Sequence, residues 1–586
     1  MANYRSSKWM AAPIALAVLL SACGSGGDSD AGDSGKSSTS SDAGDSGKTT
    51  TSSDAGDKGT TTTSSDAKGD TLAYEKYSEP VSISVGFKIP DDKLGAGDTN
   101  DNNPVSRYLE SISNIKVTHA WEAKGDDAFK QKVNLAIASN DLPDAMVVDR
   151  NQLRKLIDND MIEDLTDVYA KYGSELVRAM YDSTQGLALA DATVDGRLYG
   201  LPNVAIEADA PSLLWIRQDW LDKLNLQAPK TVDELAAVAK AFIEQDPDGN
   251  GKKDTLGLTG DKQVVYGQKP NPNGFDSIFS SYHAFPKNWI KDKDGNVVYG
   301  SITPENKDAL AKLAEMYKGG LIDPQFALYK ETQEPIVANK TGMFFGPWWM
   351  PYWPLADAVA NDTKAEWKAY AAPLDKDGKF VTHMAPVTDR YLVVRKGYKN
   401  PEAAVKLLNA FTRIERRQDP NKDEMKKLDD YATANTVQNR NYYPFDLLLD
   451  YSDAVVKRYK DVQAALKGEL DPATFDPDTK QVYDYSVIEK ENPKKNMDAW
   501  KPAKAYELGG GILANTDMEK VYSLFYGTTK TMETKWTSLQ KLENETFLKI
   551  IVGDLPVDAF DSFVSDWKKL GGDQITKEVS DIVSGN

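Results

Sequence analysis

Between Gly24 and Asp70 the chain carries only Gly, Ser, Thr, Asp, Lys and four alanines, so nothing there can bury an apolar face. Any folded body must lie beyond it. A unit beginning Asp-Ala recurs at Asp30, Asp42, Asp54 and Asp66, but repeat folds need apolar positions to stack, and alanine alone does not supply them. The segment reads as a flexible tether, and at 5–6 Å × √n it spans on the order of 40 Å.

Ahead of the tether, Arg5 and Lys8 precede an apolar run from Met10 to Leu20 and then Leu20-Ser21-Ala22-Cys23. The run is too short for a permanent membrane span and has the layout of a bacterial lipoprotein signal, which predicts a signal peptide over 1–22. Cys23 is the one cysteine in 586 residues, so no disulfide can form within the chain. Its thiol can carry a diacylglycerol thioether, and two or more buried acyl chains, palmitate among them, give lasting anchorage. The expected location is the extracytoplasmic face of the cell membrane, with Cys23 and the tether over 23–74. A formal net charge of −19, more acidic once Arg5 and Lys8 leave with the signal, makes nucleic acid a poor partner.

The remaining length exceeds one ordinary core and predicts two or more domains. Its start alternates strand and helix. Val81 to Phe87, Ile115 to Trp121 and Ala145 to Val148 read as strands, while Ser106 to Ser111 and Phe129 to Ala138 read as helices, a pattern of α/β class with a parallel sheet. Thr231-Val232-Asp233-Glu234 is a capping box before a stripe of Leu235, Val238, Ala239 and Phe242. Asn400-Pro401 opens a helix with Ala404, Leu407, Leu408 and Phe411 on one face. Phe560, Phe563, Val564 and Trp567 form a third stripe, stopped by Gly571-Gly572. All three stripes read as core. Asp195-Gly196, Asp294-Gly295 and Asp377-Gly378 read as hairpin turns.

Several segments resemble the family 1 extracellular solute-binding proteins, the carbohydrate-capturing proteins of ABC importers, such as those binding maltose and alginate oligosaccharides. They are Leu214 to Asn225 with Pro229-Lys230-Thr231; Lys340 to Trp349; Asp389 to Val394 with Asn400 to Ala404; and Trp567 to Asp573. The resemblance covers most of residues 78 to 586. It implies a two-lobed α/β fold of the periplasmic-binding-protein type (type II), with a hinge and an interlobe cleft. Lobe 1 is then 75–204 with 384–440, and lobe 2 is 205–383 with 441–586. The partners so implied are an oligosaccharide ligand and the membrane permease of the importer.

A sugar site needs flat aromatic platforms beside fixed polar groups. Trp348, Trp349, Tyr352 and Trp353 crowd a turn marked by Gly346-Pro347 and Pro351, and each is either a platform or packing for the second lobe. The resemblance adds Asp149 and Arg150 at a strand end, Arg217 and Asp219 in the signature segment, Arg390 beside the return crossing, and Tyr282 and Trp289 as further aromatics. Any one of the charged residues read alone is more often a solvated surface group.

Asp246, Asp248, Asn250, the carbonyl of Lys252 and Asp254 stand at positions 1, 3, 5, 7 and 9 of a calcium loop, with Gly251 at 6. Gly257 occupies position 12, where an EF-hand carries a bidentate Glu, and Thr255 stands where alginate-binding relatives have an acid. A plain turn accounts for Pro-Asp-Gly-Asn-Gly but not for the alternating oxygens. Calcium is the cofactor so implied, in a structural role.

The competing classes are a secreted polysaccharide-degrading enzyme and a surface adhesin. Three histidines, His119, His283 and His383, lie far apart with no HExxH, P-loop or GxSxG pattern, so zinc hydrolysis and a serine triad have little support, while the 89 acidic residues leave a catalytic carboxylate pair open. The resemblance implies a binder, with no catalytic residue assigned.

Overall fold

The computed structural model describes residues 66–267 and 271–584, all within the unit Ser46–Asn586; Cys23, the signal and the tether up to residue 65 lie outside the described residues. Composition assigns 66–74 to the tether, and here the structure corrects it, because Asp66–Tyr74 is a helix. The reason is the apolar turn at its end. Ala73 is fully buried, Asn409 Nδ2 donates to its carbonyl at 3.3 Å, and the Arg413 guanidinium lies 4.0 Å from the Tyr74 ring centre.

The alternating pattern folds as a layered sheet. Strands Ile115–Lys124, Val81–Ile89 and Ala145–Asp149 lie side by side in parallel, with helices Pro104–Ser113 and Asp126–Ser139 as the crossovers. Gly86 sits at a register shift where a Cβ would come within 2.3 Å of the Trp121 ring, so only glycine lets that indole lie across the strand. Strand Arg390–Val394 adds to Ala145–Asp149 antiparallel, and Leu201–Pro202 adds beyond it, again antiparallel. The sheet is therefore mixed rather than purely parallel. The returning chain re-enters at the end where the parallel strands finish, Arg390 opposite Asp149, and can only run back.

This sheet is buried by one apolar core running from Ile83 to Val204 and from Tyr391 to Leu449, including Tyr442, Tyr443, Phe445 and Leu447. A second sheet, in the order Trp367–Tyr370, Leu213–Arg217, Thr341–Gly346 and Leu256–Leu258, separates two further cores. One includes the stripe of helix Val232–Glu244; the other holds Trp215, Phe344, Trp348 and Trp500. Each fully buried Val, Leu or Ile in these cores contributes about 1.5–3 kcal/mol, opposing chain entropy.

Local signals hold with two corrections. Thr231 Oγ1 accepts from the Glu234 amide at 3.2 Å, and helix Glu402–Glu415 follows Asn400-Pro401. Gly571-Gly572 does not stop the last stripe: the chain kinks at Gly571 (φ 131°) and continues as helix Asp573–Val583, whose Ile575 and Val579 are buried. Asp195-Gly196 and Asp294-Gly295 do turn hairpins, Thr193–Val194 with Arg197–Leu198 and Trp289–Lys291 with Val297–Tyr299. Asp377-Gly378 does not. The strand after it, Phe380–Met384, pairs instead with Met518–Tyr522, parallel and remote in sequence.

Candidate ligand cleft

Three chain segments, around 203–212, 385–389 and 450–453, connect the first core to the other two, and they are bonded to one another. Asn203 Oδ1 accepts from Thr388 Oγ1 (2.9 Å) and from the amides of Asp389 and Arg390 (both 3.0 Å), while its Nδ2 donates to Asp389 Oδ1 at 2.9 Å. The Glu207 amide donates to the Ser452 carbonyl at 2.9 Å, joining the third segment to the first. A single asparagine side chain thus ties two crossings together. These segments are where the chain passes between the cores, and the residues around them are the candidate ligand site.

On the first-core side, Ala145–Asp149 ends against these segments. Asp149 Oδ1 caps helix Arg150–Asp158 by accepting from the Gln152 amide at 2.9 Å, and Gln152 Oε1 accepts from the Asp149 amide in return. Lys130 also pairs with Asp149 at 3.0 Å, so this acid is largely committed to structure. Arg150 reaches inward. Its guanidinium pairs with Asp191, donates to the Thr388 carbonyl at 3.0 Å, and lies 5.8 Å from the Tyr391 ring and 5.6 Å from the Tyr526 ring. Tyr391 donates to the other Asp191 oxygen. Arg390, across from Asp149, turns to Asp446 at 2.9 Å.

On the other side the aromatic turn divides. Trp348 is only 7% exposed, with Tyr506 5.0 Å and Tyr352 6.4 Å away between ring centres, and its indole donates to Asp209 Oδ1 at 2.8 Å. Gly509 allows this packing, since a Cβ there would lie 2.2 Å from the Trp348 carbonyl oxygen. Trp348 therefore anchors the first crossing through Asp209, whose carboxyl burial pushes up. Trp349 and Tyr352 are half-buried, and burial holds the Tyr352 phenol well above its usual range. Trp353 is the open ring of the four, at 38% exposure.

Other expected residues lie away from the cleft. Arg217 is 2% exposed, pairs through two bonds with Asp219 (2.8 and 2.6 Å), donates to Asn339 and Asp362, and stacks 4.6 Å from the Trp220 ring centre. Both it and Asp219 act as struts between these segments. Trp289 is corrected likewise: 2% exposed, it packs between Tyr299 and Trp536. Tyr282 ends helix Asp276–Ser281 and leans on the same core.

The acidic loop after helix Val232–Glu244 curls on itself. The Gly251 amide donates to Asp246 Oδ2 at 3.0 Å, the Lys252 amide to Asn250 Oδ1 at 2.6 Å, and Asn250 Nδ2 bridges Asp248 Oδ2 (2.7 Å) and Asp254 Oδ1 (3.0 Å). Asp246 Oδ1 is buried with no partner. Burial pushes the Asp248 carboxyl up, and the Asp246 and Asp254 carboxylates add to this. Among the described residues no group of three or more His, Cys, Asp or Glu side chains is arranged to hold a metal ion. The Asn250 amide lies between the Asp248 and Asp254 carboxylates.

Sequence reading finds Arg150 but misses Asp191, Tyr391, Asn151, Asp209 and the loop at Tyr526. Tyr391 falls in the segment Asp389 to Val394 without its role being marked there, and no motif covers the others, because their partners are distant in sequence. The three histidines stay apart: His119 stacks on Phe87, His283 bonds Asp375, and His383 is buried in Phe380–Met384.

A family model described as bacterial extracellular solute-binding protein matches residues 96–415. The polygalacturonan/rhamnogalacturonan-binding protein YtcQ of Bacillus subtilis (strain 168) is 25% identical over 489 residues, covering 80% of this chain and 86% of that protein. The solved structure of the alginate-binding protein AlgQ2 without calcium ion matches with a TM-score of 0.52 at 17% identity, over 87% of this chain and 99% of that one. An HMO-binding, ABC-transporter-associated solute-binding protein from Bifidobacterium longum infantis ATCC 15697 matches with a TM-score of 0.57 at 17% identity, over 86% and 99%. The fold is thus the two-lobed α/β fold expected from the sequence.

Proposed function

This chain belongs to the bacterial extracellular solute-binding proteins, and on that premise we propose that it captures an oligosaccharide in the cleft and delivers it to the membrane permease of an ABC importer. The placement of Arg150 supports this reading: one side chain lies against a crossing, a first-core tyrosine and Tyr526, in the loop ahead of helix Met532–Val552, at once, so a ligand held there bears on both sides. Trp353 offers an open aromatic face for a pyranose ring, and the YtcQ and HMO-binding relatives are named for carbohydrates. The lobes are taken as 66–204 with about 384–449, and the rest of the described residues, following the cores and the docking of helix Asp66–Tyr74.

Anchorage through a lipidated Cys23 on the extracytoplasmic face completes the proposal, supported by the Leu20-Ser21-Ala22-Cys23 sequence. Among the described residues no helix is long and apolar enough to cross a membrane. Calcium fits the acidic loop: Asp246 Oδ1 is a buried oxygen without a hydrogen-bond partner, and the Asp246 and Asp254 carboxylates crowd Asp248, so Asp246, Asp248, Asn250, the Lys252 carbonyl and Asp254 would hold it as a set of oxygen donors. There it would brace the loop and take no part in chemistry.

The test is to titrate the full chain with oligosaccharides by calorimetry and to chromatograph the sugar afterwards. Tight binding with intact sugar supports capture; cleaved sugar indicates a degradative enzyme; neither indicates an adhesive or structural role.

A further inference from the structure

Given the capture role proposed above, we infer that the cleft takes a neutral oligosaccharide and discriminates against sugars bearing carboxylates or sulfates. Every arginine that touches a crossing is already matched by a carboxylate. Arg150 pairs with Asp191, and Arg390 with Asp446. At the third crossing Arg416, the C-cap of helix Glu402–Glu415, and Arg458, in helix Ala454–Leu466 against the core of Trp348 and Trp500, share the same two acids, Asp450 (2.8 and 3.0 Å) and Asp478 (2.8 and 3.2 Å). Lys520, at the first crossing, pairs with Glu207.

An anionic sugar entering this site would have to take an arginine from its acid, leaving a carboxylate unpaired, or be buried without a counter-ion. Both are costly, most of all at Arg416, Arg458 and Asp450, whose side chains keep only 13%, 12% and 11% exposure. Asp209, held by the Trp348 indole and otherwise buried, adds a further acid beside the first crossing. The formal net charge of −19 opposes an anion's approach as well. A neutral sugar meets none of these penalties. Its hydroxyls can accept from guanidinium N–H groups and donate to carboxylate oxygens of pairs that stay intact, and its C–H faces suit the tyrosines flanking Arg150.

The relative YtcQ, named for acidic pectic polymers, makes the distinction informative. The experiment measures Kd of the full chain for length-matched malto-, galacto- and fructo-oligosaccharides against oligogalacturonides and alginate oligosaccharides. At least one neutral series is expected to bind on the order of a hundredfold tighter than any acidic one, and Asp191→Asn, which frees Arg150 of its acid, should narrow that gap at least tenfold. Acidic sugars binding as tightly as neutral ones, or more tightly, would overturn the inference while leaving oligosaccharide capture intact. If neither class binds, capture itself fails and the inference with it. The wild-type panel decides even where Asp191→Asn does not fold.

Discussion

Asn151 and Thr528 exchange two hydrogen bonds between the lobes, Asn151 Nδ2 to Thr528 Oγ1 and the Thr528 amide to Asn151 Oδ1, each 3.0 Å. They join the first turn of helix Arg150–Asp158 to the loop ahead of helix Met532–Val552, beside the Arg150–Tyr526 contact. Such a clasp favours the form in which this helix and this loop touch. Two neutral hydrogen bonds contribute about 0.5–1.5 kcal/mol each, so Asn151→Ala should weaken ligand affinity by about tenfold. The change should appear mainly as faster dissociation in stopped-flow fluorescence. An unaltered off-rate would remove the clasp from the closing mechanism.

Arg217 should matter to stability and not to affinity. Arg217→Ala leaves Asp219 and Asp362 facing each other without their cation. The loss should be about 2–3 kcal/mol, below the 3–5 typical of a fully buried pair, because those acids keep 26% and 36% side-chain exposure. Denaturant unfolding measures this, and calorimetry on the folded fraction should give wild-type affinity. A selective loss of sugar binding would return Arg217 to the ligand site.

What could be read without coordinates was whatever local periodicity dictates. The strand–helix alternation from Val81 to Asp149 was legible because each element carries its own apolar rhythm and turn residues. Arg217 was legible as a charged residue in a signature, but not as a strut, since Asn339 and Asp362 lie 122 and 145 residues away. Trp348 and Trp353 are indistinguishable as letters in one turn; the difference arises from Tyr506 and Gly509, contributed by a distant helix. Helix Asp66–Tyr74 was hidden by its polar first half, its docking resting on the last residues.

Calcium should stabilise the chain through the acidic loop. A ligand that binds only the folded state adds about 2.7 kcal/mol at a hundredfold excess over Kd, so chelator should lower Tm of the wild type and hardly change that of Asp248→Ala. Because the Asp248 carboxyl is pushed up, protons compete there first, and the calcium increment should shrink as pH falls. Equal chelator shifts in both proteins would exclude the loop.

His383 gives the pH profile a defined sign. Burial depresses its pKa, the Asp276 carboxylate opposing only in part, so the folded protein keeps it neutral where the unfolded chain takes a proton. Stability from this residue is complete above about 6.5, the unfolded value, and is lost as pH falls from there toward the depressed folded value. Unfolding free energies between pH 7.5 and 5 should show that slope, reduced in His383→Gln. An identical slope in the variant would assign it to other groups.

The most direct measurement pairs oligosaccharide affinity with melting temperature on Trp353→Ala, Tyr526→Ala and Trp348→Ala. With the sugar seated on the open indole and the tyrosine at Arg150, the first two substitutions should each weaken binding at least tenfold, the ~2 kcal/mol or more of a truncated contact aromatic, with Tm nearly unchanged. Trp348→Ala should instead cost roughly 3–5 kcal/mol of stability as a core residue. Wild-type affinity in both Trp353→Ala and Tyr526→Ala would contradict the cleft as the place where sugar is held.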